Sequence, residues 1–295
     1  MPSPERTAAR VALLGIAASA VLAAVKISVG FAAHSVATVS DGVESAADVL
    51  SSGLVYLGLW VASKPADEDH PYGHGRFETL IGLAVGVLLA VAGGWICFNA
   101  LNAHQDAPAV FAVWALGLSI ATKAVLATLK MRAGRAARSA ALTADAWNDS
   151  VDILSGSVAL MSVLLAVYDP EHLPNADRYG GFIIGLIVIF MGFRVVRETA
   201  LLLMDTMPEP AQMAALRAEA LMVPGARGVD KCYARKTGLR YHVDLHLEVD
   251  PHLTVLESHE IARAVKRHLK SRLDWVADVL VHVEPHLKAE PVERS

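Results

Sequence analysis

The chain has 295 residues, of which 54% are hydrophobic, 19% charged and only 6% aromatic. A mean hydropathy of +0.41 is too apolar for an ordinary soluble protein of this length and points to the membrane class. The net charge of −4 and the lack of a long basic run give no sign of nucleic-acid binding, and two cysteines, Cys97 and Cys232, exclude a disulfide framework.

Six apolar segments are each long enough to cross a hydrocarbon core, which takes about 20 helical residues. They run roughly over Val11–Ala33, Ala37–Ala62, Leu80–Leu101, Val110–Leu129, Ala140–Tyr168 and Gly180–Leu203. The first follows Arg6 and Arg10 and could be a signal peptide, but no clear cleavage site leads into a soluble domain, so it reads as the first membrane helix. Arg6, Arg10, Lys64, Arg76, Lys130, Arg132, Arg135 and Arg138 fall at the N-terminus and in the second and fourth loops. The excess of positive charge on one side predicts that both termini lie in the cytoplasm.

The second segment carries Asp41, Glu44, Ser45 and Asp48, and the fifth carries Asp145, Asn148, Asp149 and Asp152. Both sets follow i, i+3, i+4, i+7 and so line one helical face. Six acidic residues within two spans need compensation, since one charge at the bilayer centre costs about 2.5–3.5 kcal/mol on insertion scales. Basic partners are one answer, with Lys26, Lys123, Arg194 and Arg197 in or near other spans. Interfacial placement is another, suited to Asp41 and Asp145. Interfacial placement does not easily cover Glu44, Asp48, Asn148 and Asp152 together. Two helices that each offer an i, i+4 pair of oxygen ligands can enclose a divalent cation, which neutralises the excess charge.

The loop Lys64-Pro-Ala-Asp-Glu-Asp-His-Pro-Tyr-Gly-His-Gly-Arg-Phe-Glu78 sets Asp67, His70 and His74 at metal-ligand spacing, although a solvated polar loop would look the same. Near Met204–Pro210 the chain turns polar. A short helix over Ala211–Met222, a strand over Gly228–Lys236 and a turn at Thr237-Gly238 are expected next. Leu239–Val249 then alternates, with Tyr241, Val243, Leu245 and Leu247 on one face and His242, Asp244, His246 and Glu248 on the other. Val255–Leu273 fits a helix, and Val279, Val281 and Val283 alternate in a last strand. The predicted fold is an all-α six-helix transmembrane domain (1–207) followed by a small α+β cytoplasmic domain (208–295) of αββαβ order. His246, His282 and Glu284 fall on polar strand faces and His259 on the intervening helix, a metal-sensing set or a scatter of surface histidines.

With SDGVESAADVLSS in the second span, KPADEDHPYGHGRFE after it, NDSVD in the fifth span and a histidine-bearing tail, nearly the whole chain resembles the cation diffusion facilitators, which are metal-ion/proton antiporters. The resemblance implies a homodimer in a lipid bilayer, the inner membrane if bacterial, with a ferredoxin-like tail. It implies a transport site on Glu44, Asp48, Asn148 and Asp152, a loop site on Asp67, His70 and His74, and tail ligands on His246, His259, His282 and Glu284. Arg76 and Asp205 occupy the positions of a hinge ion pair, and Asp230 stands where zinc-type members usually carry histidine. Those members also carry histidine at the position of Asn148. An oxygen-only set suits harder ions, so Mn2+ is the favoured cargo, with Fe2+ or Zn2+ as alternatives, protons as counter-substrate and a metal ion also as regulator of the tail. A passive cation channel, a non-transporting metal sensor and a membrane metalloenzyme are the rival readings; no HExxH sequence supports the last.

Overall fold

The computed structural model describes residues 4–103, 108–136, 140–238 and 240–287. Arg138 and Leu239, assigned above to a charged loop and a strand start, lie outside this range, as does the side chain of Arg6. Six long helices come first: α1 (Pro4–Ala32), α2 (Val36–Ala62), α3 (Arg76–Asn102), α4 (Phe111–Ala136), α5 (Ala140–Tyr168) and α6 (Ala176–Leu203). Among the described residues, all six are long and apolar enough to cross a membrane. Helices α3 and α6 begin about a turn before the apolar segments, and α1 begins and α4 ends about two turns beyond them, because helical hydrogen bonding continues into polar residues that would flank the hydrocarbon.

The chain divides into two compact units. One comprises Met1–Tyr56 and Leu83–Val196. Its helices approach closely through small residues, as membrane helices without a hydrophobic driving force between them tend to do. A Cβ added at Gly93 on α3 would lie 2.7 Å from the Gly185 carbonyl of α6, and one at Gly192 would lie 2.5 Å from the Ala90 nitrogen. Helix α5 packs along α4, and α4 packs on α1. Leu, Val, Trp and Phe side chains such as Leu118, Val125, Trp114 and Phe190 point outward and stay exposed, as expected of a lipid-facing surface.

The second unit comprises Leu57–Gly82 and Arg197–Ser295. Beyond α6 it holds α7 (Pro210–Leu221), β1 (Gly228–Thr237), β2 (Arg240–Val249), α8 (Val255–Arg272) and β3 (Val276–Pro285), the αββαβ order expected. The sheet runs β1-β2-β3, with β1 antiparallel and β3 parallel to β2. A parallel neighbour needs a crossover, which α8 supplies. Val243, Leu245 and Leu247 of β2 are almost fully buried against Leu216 and Ala220 of α7 and Val265 and Leu269 of α8, so both helices cover one face. Cys232 belongs to this core, and burial pushes its thiol up to about 11, which makes it an inert packing residue.

Helix α8 begins in a capping box. The Thr254 hydroxyl accepts from the Glu257 backbone N–H at 3.3 Å, while the Glu257 carboxylate accepts from the Thr254 N–H at 2.8 Å. Thr254→Ala is expected to destabilise this end of the helix by about 1 kcal/mol. Amide hydrogen exchange in the first turn of α8 of the full chain should speed up by about fivefold; unchanged exchange would show that the cap contributes nothing.

Candidate metal sites

Within the first unit, α2 and α5 bring their acidic faces together. Asp48 and Asp152 interact carboxyl to carboxyl, and Glu44 lies within electrostatic reach of Asp41, Asp48 and Asp152. Glu44 and Asp152 are buried, and Asp48 and Asn148 are half-buried. Asp48 and Asn148 line one small cavity of about 30 Å3 together with Lys123, Lys130 and Asp149.

Three buried lysines balance part of this charge. The Lys26 ammonium lies 2.8 Å from Asp41 and donates to Ser45 at 2.6 Å. Lys123 on α4 donates to Asp149 at 2.9 Å, to Asp152 and to Ser19 of α1 at 3.0 Å. Lys130, two turns further along α4, pairs with Asp149 at 2.6 Å and Asp145 at 2.9 Å. The basic-partner expectation therefore holds for Lys26 and Lys123. The interfacial expectation suits Asp145, whose side chain is 43% exposed, but fails for Asp41, which is sealed at 1% and held by Lys26 instead. Lys130 is a residue that sequence reasoning placed in a loop. Its seven-residue spacing from Lys123 was the available signal, since it sets both on one face of a helix that runs through to Ala136.

The lysines do not reach everything. Both carboxylate oxygens of Glu44, Oδ2 of Asp48 and Oδ1 of Asp152 are buried with no hydrogen-bond partner among the described residues, as are Oδ2 of Asp41 and Oδ2 of Asp149, which instead face Lys26 and Lys130 at ion-pair distance. Buried carboxylate oxygens are rarely left so, because each forfeits its hydration. The oxygens of Glu44, Asp48 and Asp152 that no lysine meets belong to three of the four residues that the spacing singled out.

The position of α2 depends on a residue that sequence reasoning missed. Asp177 of α6 accepts from the backbone N–H groups of Val36 (2.5 Å) and Ala37 (3.3 Å) and from the Ser35 hydroxyl (2.7 Å). It thereby caps, from another helix, the orphan donors that begin α2 just after the left-handed turn at His34. The Ala-Asp-Arg sequence around it reads as loop, and no local signal shows the contact.

In the second unit, Asp67, His70 and His74 converge, with one ligand atom from each lying within 4.8 Å of the others. Asp67 Oδ1 accepts from the His70 backbone N–H at 2.7 Å and lies 3.1 Å from its ring Nδ1. These contacts, the backbone bond first, hold the Asp67 carboxyl below its ordinary range. His74 Nδ1–H donates to the Pro65 carbonyl at 3.2 Å, which turns Nε2 toward Asp67 Oδ2, 3.4 Å away. Arg76 and Asp205, implied as a hinge pair, are bonded at 2.8 Å.

The tail group is His246, His282 and Glu284, again within 4.8 Å. Parallel pairing sets His246 beside His282 and Glu248 beside Glu284. His246 Nδ1–H donates to Glu284 at 2.6 Å, which holds that carboxyl below its usual value and leaves Nε2 free. His259 on α8 is not part of this converging group, and Asp230 is half-exposed at 3.9 Å from Lys231. Both side chains are exposed, His259 on α8 and Asp230 on β1.

Residues 12–204 match the model of the cation efflux transmembrane domain, and residues 208–286 match that of the cation efflux protein cytoplasmic domain. The chain belongs to the cation diffusion facilitator family. Relatives include the manganese efflux system proteins MneP and MneS of Bacillus subtilis (strain 168). MneP is 28% identical, with 96% of this chain and 98% of that protein covered. MneS is 30% identical, with 93% and 94% covered. Metal tolerance protein 2 of Oryza sativa subsp. japonica is 28% identical, with 93% and 77% covered. This facilitator is thus a multi-pass membrane protein of a transporter family rather than an enzyme family.

Loss of the Asp177 cap leaves two buried backbone donors unpaired. Asp177→Ala is expected to destabilise the detergent-solubilised facilitator by about 1–3 kcal/mol, read as a lower thermal midpoint. An unshifted midpoint would show that the contact does not hold α2 in place.

Proposed function

We propose that this facilitator exports divalent transition-metal ions from the cytoplasm in exchange for protons, with Mn2+ the favoured cargo and Fe2+ or Zn2+ the alternatives. Glu44, Asp48, Asn148 and Asp152 form the transport site. The observation that carries this reading is the set of partnerless buried oxygens on Glu44, Asp48 and Asp152. Across α2 and α5, six carboxyl groups have three buried ammonium groups for partners, so the remainder must be neutralised by a cation or by protons. A doubly positive guest relieves it, and Asn148 adds a neutral oxygen donor.

Proton coupling follows from the same groups. A bound cation favours the ionised carboxylates, and burial favours the protonated ones once the ion has left. An inward proton gradient then drives expulsion, each charge being worth about 2.3 kcal/mol per 100 mV. Helix groups rocking about a fixed midplane site would expose it to each side in turn. The basic loops place both termini in the cytoplasm, and in a bacterium the membrane is the inner one. In this reading residues 1–207 transport, and residues 208–295 form a cytoplasmic metal-binding and dimerisation domain of a homodimer. A regulatory metal ion would be held by His246, His282 and Glu284 through the free imidazole nitrogen and carboxylate, with Asp67, His70 and His74 as a second set.

The Mn2+ preference rests on oxygen-only donors, and two relatives are named for manganese efflux. Full-length protein in liposomes with an imposed pH gradient should take up Mn2+, and uptake should stop when the gradient is collapsed. Asp48→Ala and Asp152→Ala should each reduce uptake to the protein-free background, and normal transport by both would refute the site. Uptake that continues without the gradient, at currents far above exchange stoichiometry, would identify a channel. Asn148→His should raise the Zn2+:Mn2+ uptake ratio by about tenfold, the value of 1.4 kcal/mol in relative binding; an unchanged ratio would show that this position does not set selectivity.

A further inference from the structure

Lys123 does more than balance charge. Its ammonium has three protons and uses all of them, on Asp149, Asp152 and Ser19. Asp149 is in turn paired with Lys130, and Lys130 with Asp145, so α4 and α5 carry an alternating ladder of three carboxylates and two ammonium groups. Asp152 is the end rung. It is also the only member of that ladder in the proposed transport site.

Its position there makes the contact competitive. A divalent ion bound by Asp152 and an ammonium held within hydrogen-bonding distance of the same carboxylate repel one another, so both cannot hold it at full strength. Stripping a buried ammonium of every partner would be prohibitive, since an uncompensated buried charge costs about 3–5 kcal/mol. Lys123 avoids that penalty. If it releases Asp152, it keeps Asp149 and Ser19, two of its three bonds and one full ion pair. The flexible four-carbon stem permits the shift, and the cavity of about 30 Å3 lined by Ser19, Lys123, Asn148 and Asp149 has room for about one water to replace the lost bond.

We propose that Lys123 is a tethered competitor for the transport site, bonded to Asp152 in the absence of metal and withdrawn onto Asp149 and Ser19 when a divalent cation binds. This inference rests on the reading of Glu44, Asp48, Asn148 and Asp152 as that site. The lysine sets how tightly the cargo is held, weakening it so that the ion can also leave. It keeps its charge throughout.

The test is Mn2+ uptake by full-length protein in liposomes, read as KM and maximal rate. Lys123→Gln combined with Asp149→Asn removes the competitor while preserving local charge balance. KM should fall by about tenfold, the value of one hydrogen bond to a charged group, and the maximal rate should not rise. Lys123→Arg offers Asp152 a two-pronged donor that grips more firmly, so its KM should rise above that of the unmodified protein. A double variant with KM unchanged or raised overturns the proposal. If that variant does not fold, Lys123→Arg decides, and a KM at or below the unmodified value overturns it. Normal transport by Asp152→Ala would instead refute the site reading, and the competitor with it.

Discussion

The structure is organised around an incomplete neutralisation. Lipid-crossing helices cannot carry bare carboxylates, yet α2 and α5 together carry six acidic side chains, and three buried lysines answer only part of them. Where the lysines reach, the carboxylates are structural: Asp41 ties α2 to α1, and Asp149 ties α5 to α4. Where they do not, at Glu44 and on one oxygen each of Asp48 and Asp152, the protein holds unmet bonding capacity in a buried place. That distinction separates scaffold from site more sharply than the presence of acidic residues does.

The surroundings keep this arrangement in place. Helix α2 is fixed at one end by Asp177, which satisfies its first backbone donors from across the bundle. Glycines let α3 and α6 approach until backbone meets backbone. Such contacts tolerate little deformation, so movement is more readily absorbed by groups of helices shifting together than by single side chains. The loop and tail groups in the other unit use different chemistry. Both pair imidazole with carboxylate, and in each a hydrogen bond to one ring nitrogen leaves the other free to coordinate.

Much of this was legible in the sequence because it depends on period and length. Six apolar runs of membrane length became six helices, and the strict alternation from Tyr241 to Leu247 became a half-buried strand. The i, i+4 pairs Glu44/Asp48 and Asn148/Asp152 marked the faces that meet. What was not legible depends on contacts between distant segments. Lys130 reads as a loop charge because Arg132 and Arg135 follow it, and only the packing of α4 on α5 shows it buried between Asp145 and Asp149. Asp41 reads as interfacial because nothing local reveals Lys26 beside it. His259 has the right residue type on the right helix but does not join His246 and His282, because helix rotation, unlike strand register, is not set by a two-residue repeat.

Anomalous X-ray scattering at the manganese edge, from crystals of the full-length protein grown with Mn2+, would show whether the unmet carboxylate oxygens hold the ion. An anomalous peak is expected between α2 and α5, within coordination distance of Glu44, Asp48 and Asp152, with Lys123 turned toward Asp149. Peaks confined to the loop and tail groups, with Lys123 still bonded to Asp152 and no density at Glu44, would contradict that expectation.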